Sequence, residues 1–216
     1  MQTPIMLAHP WLALDGILAH LINREVRGED YYTLPSKEPV SVSRGGLNLM
    51  PLFKTFDREH FLTFYHASVA QLDVSEASAA TIYKRFDESR SHLIQTEKQR
   101  IDVGRGLFRA YAMRMAYVPA KTATFYAFGD AKEVVRLVSY LPGLGKKVAY
   151  GYGMFRSVSV DETEADYSLV KDCVAMRPLP SVLFRSAENM MLAYKPPYWD
   201  KRNVLSCVPP GARVDG

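Results

Sequence analysis

Two amphipathic helices, far apart along the chain, limit the possible folds more than any other feature. In WLALDGILAHLINREV, residues 11–26, the apolar positions with helical spacing are Leu14, Ile17, Leu18, Leu21 and Ile22. In DAKEVVRLVSYL, residues 130–141, Asp130 is suited to cap the first turn, and the apolar positions are Val134, Leu137, Val138 and Leu141. Gly28 is expected to end the first helix, and Pro142 with Gly143 the second.

Four β-prone runs accompany these helices: residues 3–10 (TPIMLAHP), 106–119 (GLFRAYAMRMAYVP), 121–129 (KTATFYAFG) and 154–160 (MFRSVSV). The two middle runs follow one another closely and predict a hairpin. The resulting order is βαββαβ, which predicts an α+β, ferredoxin-like fold with an antiparallel sheet and two helices on one face.

The remaining segments are harder to assign from periodicity. We predict a single domain over residues 1–216, with a large insertion at about 30–104 and a C-terminal extension at 161–216. Within the insertion, residues 75–91 are compatible with a helix or with a mobile segment. A structureless loop of that length is unusual in a compact domain unless it is functional. The tail, KPPYWDKRNVLSCVPPG, is rich in proline and aromatics and predicts an irregular arm.

Positive charge is concentrated in the middle of the chain. The whole chain has a net charge of +4 and a pI near 9.0. Residues 84–121, here called the basic belt, hold nine Lys and Arg and four Asp and Glu, so this segment alone carries +5. Such a belt is typical of a nucleic-acid-binding protein, although a solvated surface would have the same composition.

Other features exclude several classes of site. The two cysteines, Cys173 and Cys207, form no C-x-x-C pair, which argues against zinc and is typical of the reducing cytoplasm. The N-terminal apolar stretch is interrupted by polar residues, so we predict neither a signal peptide nor a membrane helix. No cofactor or metal motif is found, and we predict that the protein uses none.

Residues 143–153, GLGKKVAYGYG, form a segment that we call the glycine loop. Its spacing matches neither a dinucleotide fingerprint nor a phosphate-binding P-loop. Glycines let a backbone approach a polyanion, lysines add charge, and Tyr150 and Tyr152 are able to stack on bases. The alternative is a glycine-rich turn that permits tight helix–strand packing.

The glycine loop, placed after the last helix of a βαββαβ unit, resembles the signature loop of the CRISPR-associated RAMP superfamily. Further segments resemble the small RAMP subunit of type IV CRISPR effector complexes, a relative of the subunit that binds the crRNA 5′ handle in type I systems. These segments are LALDGILAHLI, KRFDESR, GRGLFRAYAMRM, ATFYAFGD and KPPYWDKRNVLSCVPPG.

The resemblance implies a non-catalytic subunit that grips the crRNA 5′ handle and caps the backbone filament of a ribonucleoprotein. Its partners would be crRNA, backbone RAMP subunits, a large subunit and, indirectly, target DNA, and the insertion would supply a thumb. It also implies backbone contacts to RNA from Gly143, Gly145, Gly151 and Gly153. Lys146 and Lys147 would contact phosphates, and so would some of Arg85, Arg90, Arg100, Arg105 and Arg109.

An alternative within the same superfamily is a metal-independent endoribonuclease that processes crRNA. His20, on the first helix, is the candidate general acid or base. The sequence shows no convincing Tyr/His/Lys or Ser/His/Lys set around it, and His9, His60, His66 and His92 form no evident constellation. We therefore predict no catalytic residues.

Overall fold

A computed structural model describes residues 1–33, 43–44, 47–74, 76–94, 101–106 and 108–215. The helices are α1 (Leu14–Arg27) and α2 (Ala131–Val138), with 3₁₀ turns at Gly28–Thr33, Glu88–Leu93, Val148–Tyr150 and Lys201–Asn203. The strands are β1 (Ile5–Leu7), β2 (Ser43–Arg44), β3 (Leu47–Asn48), β4 (Lys54–Asp57), β5 (Leu62–Tyr65), β6 (Gln71–Val74), β7 (Ser78–Lys84), β8 (Tyr111–Val118), β9 (Ala120–Thr124), β10 (Val170–Lys171), β11 (Val174–Ala175), β12 (Leu179–Pro180), β13 (Met190–Ala193) and β14 (Val204–Val208).

Both predicted helices are confirmed. Helix α1 ends at Gly28, whose φ of 55° is a conformation that glycine adopts without a Cβ clash. Helix α2 begins after Asp130, whose carboxylate accepts a hydrogen bond from the backbone N–H of Glu133 at 3.1 Å. The α+β class is also confirmed, since small antiparallel sheets accompany the two helices.

The main sheet has the order β1–β8–β7, and both pairs are antiparallel. The predicted hairpin between residues 106–119 and 121–129 is wrong, because β8 pairs with β7 and β9 pairs with β6. Only Pro119 separates β8 from β9, and a hairpin needs a connection of at least about two residues. Strand β7 and the 3₁₀ turn after it occupy the stretch that was compatible with a helix or a mobile segment.

The strand predicted at residues 154–160 is not formed. Instead, the glycine loop lies along the free edge of β1, where the N–H of Lys146 donates to Met6 O and that of Gly153 to Pro4 O, both at 2.8 Å. The four-stranded sheet of a ferredoxin-like fold is therefore not confirmed.

The largest core cluster lies under α1. Its buried members are Leu14, Leu18, Ala19, Leu21 and Ile22 from α1, together with Met50, Leu52, Ala67 and Leu137. Residues 50–67 thus cover the apolar side of α1, although they fall within the predicted insertion. The cluster brings together segments that are far apart along the chain, and burial of each large apolar side chain contributes about 1.5–3 kcal/mol.

The predicted C-terminal extension, residues 161–216, is called the C-terminal arm from here on, and it contains regular structure. It contains a β10–β11 pair and a sheet of order β12–β14–β13. A second apolar cluster holds Ala175, Leu179, Val208, Ala212 and Val214. The tail predicted to be irregular, residues 195–211, contributes β14 to this sheet, and its four prolines lie outside the strand.

A buried ion pair joins the C-terminal arm to α1. The Arg177 and Asp15 side chains are 1% and 0% exposed, and Arg177 Nη2 lies 3.0 Å from Asp15 Oδ2. Tyr198 donates its hydroxyl to the other carboxylate oxygen at 2.7 Å. Arg177 also donates to the carbonyls of Tyr65, Ala67 and Tyr194. The guanidinium therefore links three separate parts of the chain.

In the described part of the chain, no helix is both long and apolar enough to cross a bilayer. Both cysteines are free thiols, with Cys173 exposed and Cys207 buried. Burial raises the pKa of the Cys207 thiol to about 12, so it stays protonated at neutral pH.

Candidate nucleic-acid interface

The glycine loop is anchored by its own backbone as well as by β1. The N–H of Leu144 donates to Gly153 O at 2.8 Å, which closes the loop on itself. Together with the hydrogen bonds to Pro4 and Met6, this contact holds both ends of the loop against the sheet. The loop is therefore a fixed feature of the fold, and its tip projects from the edge of β1.

Three of the four glycines are needed for this close packing. A Cβ at Gly143 would lie 2.8 Å from Gly153 O, one at Gly145 would lie 2.5 Å from Met6 O, and one at Gly153 would lie 1.9 Å from Leu144 O. By contrast, Gly151 is exposed, and a Cβ there would meet nothing within 4 Å. These distances account for Gly143, Gly145 and Gly153 by packing within the chain. Their contacts to RNA stay a prediction, for which Gly151 is the most accessible.

Lys147 and two tyrosines form a cluster at the tip of the loop. Lys147 Nζ donates to the Tyr111 hydroxyl at 2.9 Å and lies 5.1 Å and 5.3 Å from the ring centroids of Tyr111 and Tyr150. The hydrogen bond to Tyr111 raises the pKa of Lys147 above its usual value, so the side chain carries a positive charge at neutral pH. Tyr150 is 58% exposed. A cation beside an accessible aromatic ring suits a nucleotide, which offers both a phosphate and a base.

The other two side chains predicted to contact RNA, Lys146 and Tyr152, differ in their exposure. Lys146 is exposed and lies next to the cluster in sequence. Tyr152 instead packs inward, edge-on to Tyr117 with ring centroids 6.2 Å apart, against the buried side chains of Met6 and Met115. Its ring therefore contributes to the core, and Tyr150 is the loop tyrosine that is available for stacking.

The predicted arginines are spread over the basic belt. Lys84 pairs with Tyr111 across β7 and β8, so Arg85 and Arg109, both exposed, lie near the same end of that strand pair as Tyr111. Arg105 is exposed and pairs with Asp102 at 3.1 Å. Arg90 belongs to the 3₁₀ turn Glu88–Leu93, and Arg100 lies outside the described residues.

The sequence interpretation missed a histidine–tyrosine pair near the loop. The hydroxyl of Tyr31 lies 2.6 Å from His20 Nδ1. The pKa of His20 is lowered, because neighbouring atoms desolvate the ring and because Arg24 and Lys146 add positive charge nearby. His20 and Tyr31 therefore form a contact pair, and Lys146 acts on the His20 ring through its charge. Tyr31 lies beyond the end of α1, and no spacing rule connects it to His20.

A second histidine is also part of an unexpected arrangement. His66 Nδ1 lies 2.6 Å from Asp166 Oδ2, and His66 Nε2 lies 2.8 Å from Thr55 Oγ1. Burial raises the pKa of Asp166, but hydrogen bonds from Ser168 and His66 outweigh this effect and lower it overall. These contacts of His66 with Asp166 and Thr55 are not evident from the sequence. Both of its ring nitrogens contact groups of the chain itself, which favours a structural role.

Within the described ranges, no group of three or more His, Cys, Asp or Glu side chains has the arrangement of a metal site. The fold and the glycine loop define an α+β protein with a lysine- and tyrosine-rich surface at the edge of a small antiparallel sheet.

The family described as "CRISPR type IV associated protein Csf3" matches residues 54–210 of this chain. Because the match covers more than half of the sequence, the chain belongs to this family of type IV CRISPR-associated subunits. Membership supports a role in a type IV effector complex. No curated protein matches the chain.

Proposed function

We propose that this chain is the crRNA-binding subunit of a cytoplasmic type IV effector ribonucleoprotein. It would grip the 5′ handle of the guide and cap the backbone filament, in contact with backbone RAMP subunits, possible large-subunit partners and, indirectly, target DNA. The observation that carries the proposal is the anchored glycine loop, which presents Lys146, Lys147 and Tyr150 together at the edge of the sheet.

The chemistry of this surface fits a single-stranded handle. Lysines neutralise phosphates and release counterions, which gives affinity without sequence preference. An exposed tyrosine stacks on any base, at about 1–3 kcal/mol per base. In guide-directed complexes the sequence is read by base pairing, so protein subunits need to hold only the backbone and shape of the guide.

We expect the double variant Lys146→Ala/Lys147→Ala to bind handle RNA about 10- to 100-fold more weakly, because two charge-assisted contacts are lost. The slope of log affinity against log salt should become shallower by about 0.7 for each lost phosphate contact. Mobility shifts over a salt series measure both quantities. The control is Lys132→Ala/Lys201→Ala, which removes the same charge from exposed positions outside the loop. Equal binding by wild type and loop variant at every salt concentration contradicts the proposal.

A second candidate function is metal-independent cleavage of crRNA precursors, and the contact between His20 and Tyr31 favours it. A neutral His20 would accept the proton of a ribose 2′-hydroxyl, whose oxygen attacks the adjacent phosphorus. The bond from phosphorus to the 5′ oxygen would break, and that oxygen would take a proton from solvent water, giving a 2′,3′-cyclic phosphate and a 5′-hydroxyl. The lowered pKa of His20 keeps the imidazole neutral near pH 7, as a general base requires.

Repeat RNA incubated with the purified protein in EDTA distinguishes the two candidates. For a binding subunit, we expect the RNA to remain intact on a denaturing gel. Cleavage that disappears in His20→Ala and persists in His60→Ala would instead establish the nuclease and contradict the prediction of no catalytic residues. His60 is a suitable control because its ring contacts Asp57, at 3.3 Å, in the β4–β5 turn rather than on α1.

A further inference from the structure

The main sheet has one face that is largely uncovered at β7 and β8. The alternation of side chains and the β7–β8 register place six residues on this face: Ala79, Thr81, Tyr83, Ala112, Arg114 and Ala116. All six are exposed, and Tyr83 is 69% exposed. We call this surface the outer face. The opposite face carries the buried cluster of Met6, Ile82 and Met115, on which Tyr152 packs.

The outer face combines one aromatic ring and one cation with small neighbours. Thr81 pairs with Arg114, and Tyr83 pairs with Ala112, so Tyr83 and Arg114 are diagonal neighbours across the two strands. Diagonal neighbours are within reach of long side chains. None of the six residues is acidic, and the alanines leave flat space beside the ring.

An open groove continues the outer face past the end of β1. Strand β1 pairs only with Ala116–Val118, so the first part of β8 extends beyond it. The groove there is lined by residues 7–10 and 113–116, including Arg114 and the exposed His9. His9 contacts Trp11, with ring centroids 5.4 Å apart. Polar and aromatic groups therefore extend from Tyr83 along the strand pair to Trp11.

We propose that the outer face binds an unpaired stretch of single-stranded nucleic acid, with a base stacked on Tyr83 and a phosphate beside Arg114. An exposed antiparallel sheet face with aromatic and basic side chains is a general solution for holding single strands, because every base has a stackable face. The charge of the surface matches a polyanion, and its small alanines offer no apolar anchor of the size that protein partners use.

This site is separate from the glycine loop. Tyr111, which holds Lys147, shares its face of β8 with Met113 and Met115, the face opposite to Arg114. The inference rests on the proposed function in one respect, that the strand belongs to the same ribonucleoprotein. Arg85 and Arg109 flank the end of the β7–β8 pair at which Lys84 pairs with Tyr111, so a nucleic-acid strand that runs from the loop to the outer face would pass this end.

The test uses full-length protein and a fluorescein-labelled 15-nucleotide oligoadenylate, with binding followed by anisotropy. We expect Tyr83→Leu to weaken binding about 10-fold, as loss of one stacked base predicts. Arg114→Gln, on the neighbouring strand, should make the salt dependence shallower by about 0.7. The matched control is Tyr140→Leu, which removes a tyrosine that is 60% exposed near the end of α2. Thermal melts equal to wild type show that each variant is folded.

Unchanged oligoadenylate binding by both Tyr83→Leu and Arg114→Gln overturns the inference. If the Lys146→Ala/Lys147→Ala variant still loses handle binding in that case, the proposed function survives and only the outer-face site is wrong. If no variant changes binding of either RNA, the proposed function and the outer-face inference are both wrong. Loss of a co-purifying protein subunit in Tyr83→Leu, with RNA binding intact, also overturns the inference by identifying a protein contact. A deoxyadenylate of equal length shows whether the supported strand is RNA or DNA.

Discussion

Replacing Arg177 by alanine is expected to lower the free energy of unfolding by about 3–5 kcal/mol, as measured by urea denaturation. The substitution leaves the Asp15 carboxylate buried without its partner, because Asp15 is 0% exposed and contacts Arg177 at 3.0 Å. It also removes the Arg177 hydrogen bonds to the carbonyls of Tyr65, Ala67 and Tyr194, although Tyr65 O still accepts from the N–H of Ala67. A buried acceptor without a donor costs about 1–3 kcal/mol.

The electrostatic environment explains why the loss should be large. Burial disfavours the charge on Arg177, but Asp15 and Tyr198 outweigh this effect and raise the pKa of the guanidinium. Burial and the Asp15 charge raise the pKa of Tyr198 well above 10.0, so its hydroxyl remains a donor. The charges and hydrogen bonds of Asp15, Arg177 and Tyr198 therefore depend on one another.

Arg202→Ala provides the control for this prediction. Arg202 pairs with Asp200 at 2.7 Å, but its side chain is 79% exposed, so Arg202→Ala should leave the free energy of unfolding nearly unchanged. The double variant Asp15→Leu/Arg177→Met should recover part of the stability, because it removes both charges at once. Equal losses for Arg177→Ala and Arg202→Ala would show that the buried pair does not stabilise the fold.

The second large effect is expected for Gly153→Ala. A Cβ at this position would lie 1.9 Å from Leu144 O, which is backbone and cannot move without breaking the loop closure at Leu144 N. The φ of +70° adds about 1–2 kcal/mol for any residue with a Cβ. Overpacking adds about 1–3 kcal/mol, so we expect a total loss of about 2–5 kcal/mol in thermal or urea unfolding.

Gly151→Ala separates the backbone penalty of a positive φ from the steric contact of the added Cβ. Its φ of +86° carries the same backbone penalty, but a Cβ would meet nothing within 4 Å. We expect a loss of about 1–2 kcal/mol, clearly less than for Gly153→Ala. If the two variants unfold at the same urea concentration, steric contact within the loop does not determine the need for glycine at residue 153.

Sequence patterns correctly predicted the structural elements that depend mainly on residues close together in the chain. The periodicity of α1 and the capping aspartate of α2 are local signals, and both helices were predicted correctly. Strand pairing depends on segments that are far apart along the chain. For this reason the sequence predicted that β8 pairs with β9, whereas it pairs with β7. The strands of the C-terminal arm were missed because each is short and their core forms only when they meet.

The candidate site shows the same division. Exposure of Lys146 and Tyr150 agrees with a loop of polar and aromatic residues between glycines. Long-range contacts are not encoded in spacing, so neither the Tyr31–His20 pair nor the contact of His66 with Asp166 was foreseen. Composition alone also could not distinguish glycines packed against the chain, such as Gly153, from glycines with open space beside them, such as Gly151.

The buried ion pair between Asp15 and Arg177 has a consequence for biosynthesis. The two residues are separated by 162 positions, so a ribosome must add that many residues after Asp15 before α1 gains its ionic partner. Until then, the Asp15 carboxylate stays hydrated. Native contacts of such long range require closure of a large loop, which makes them slow to form.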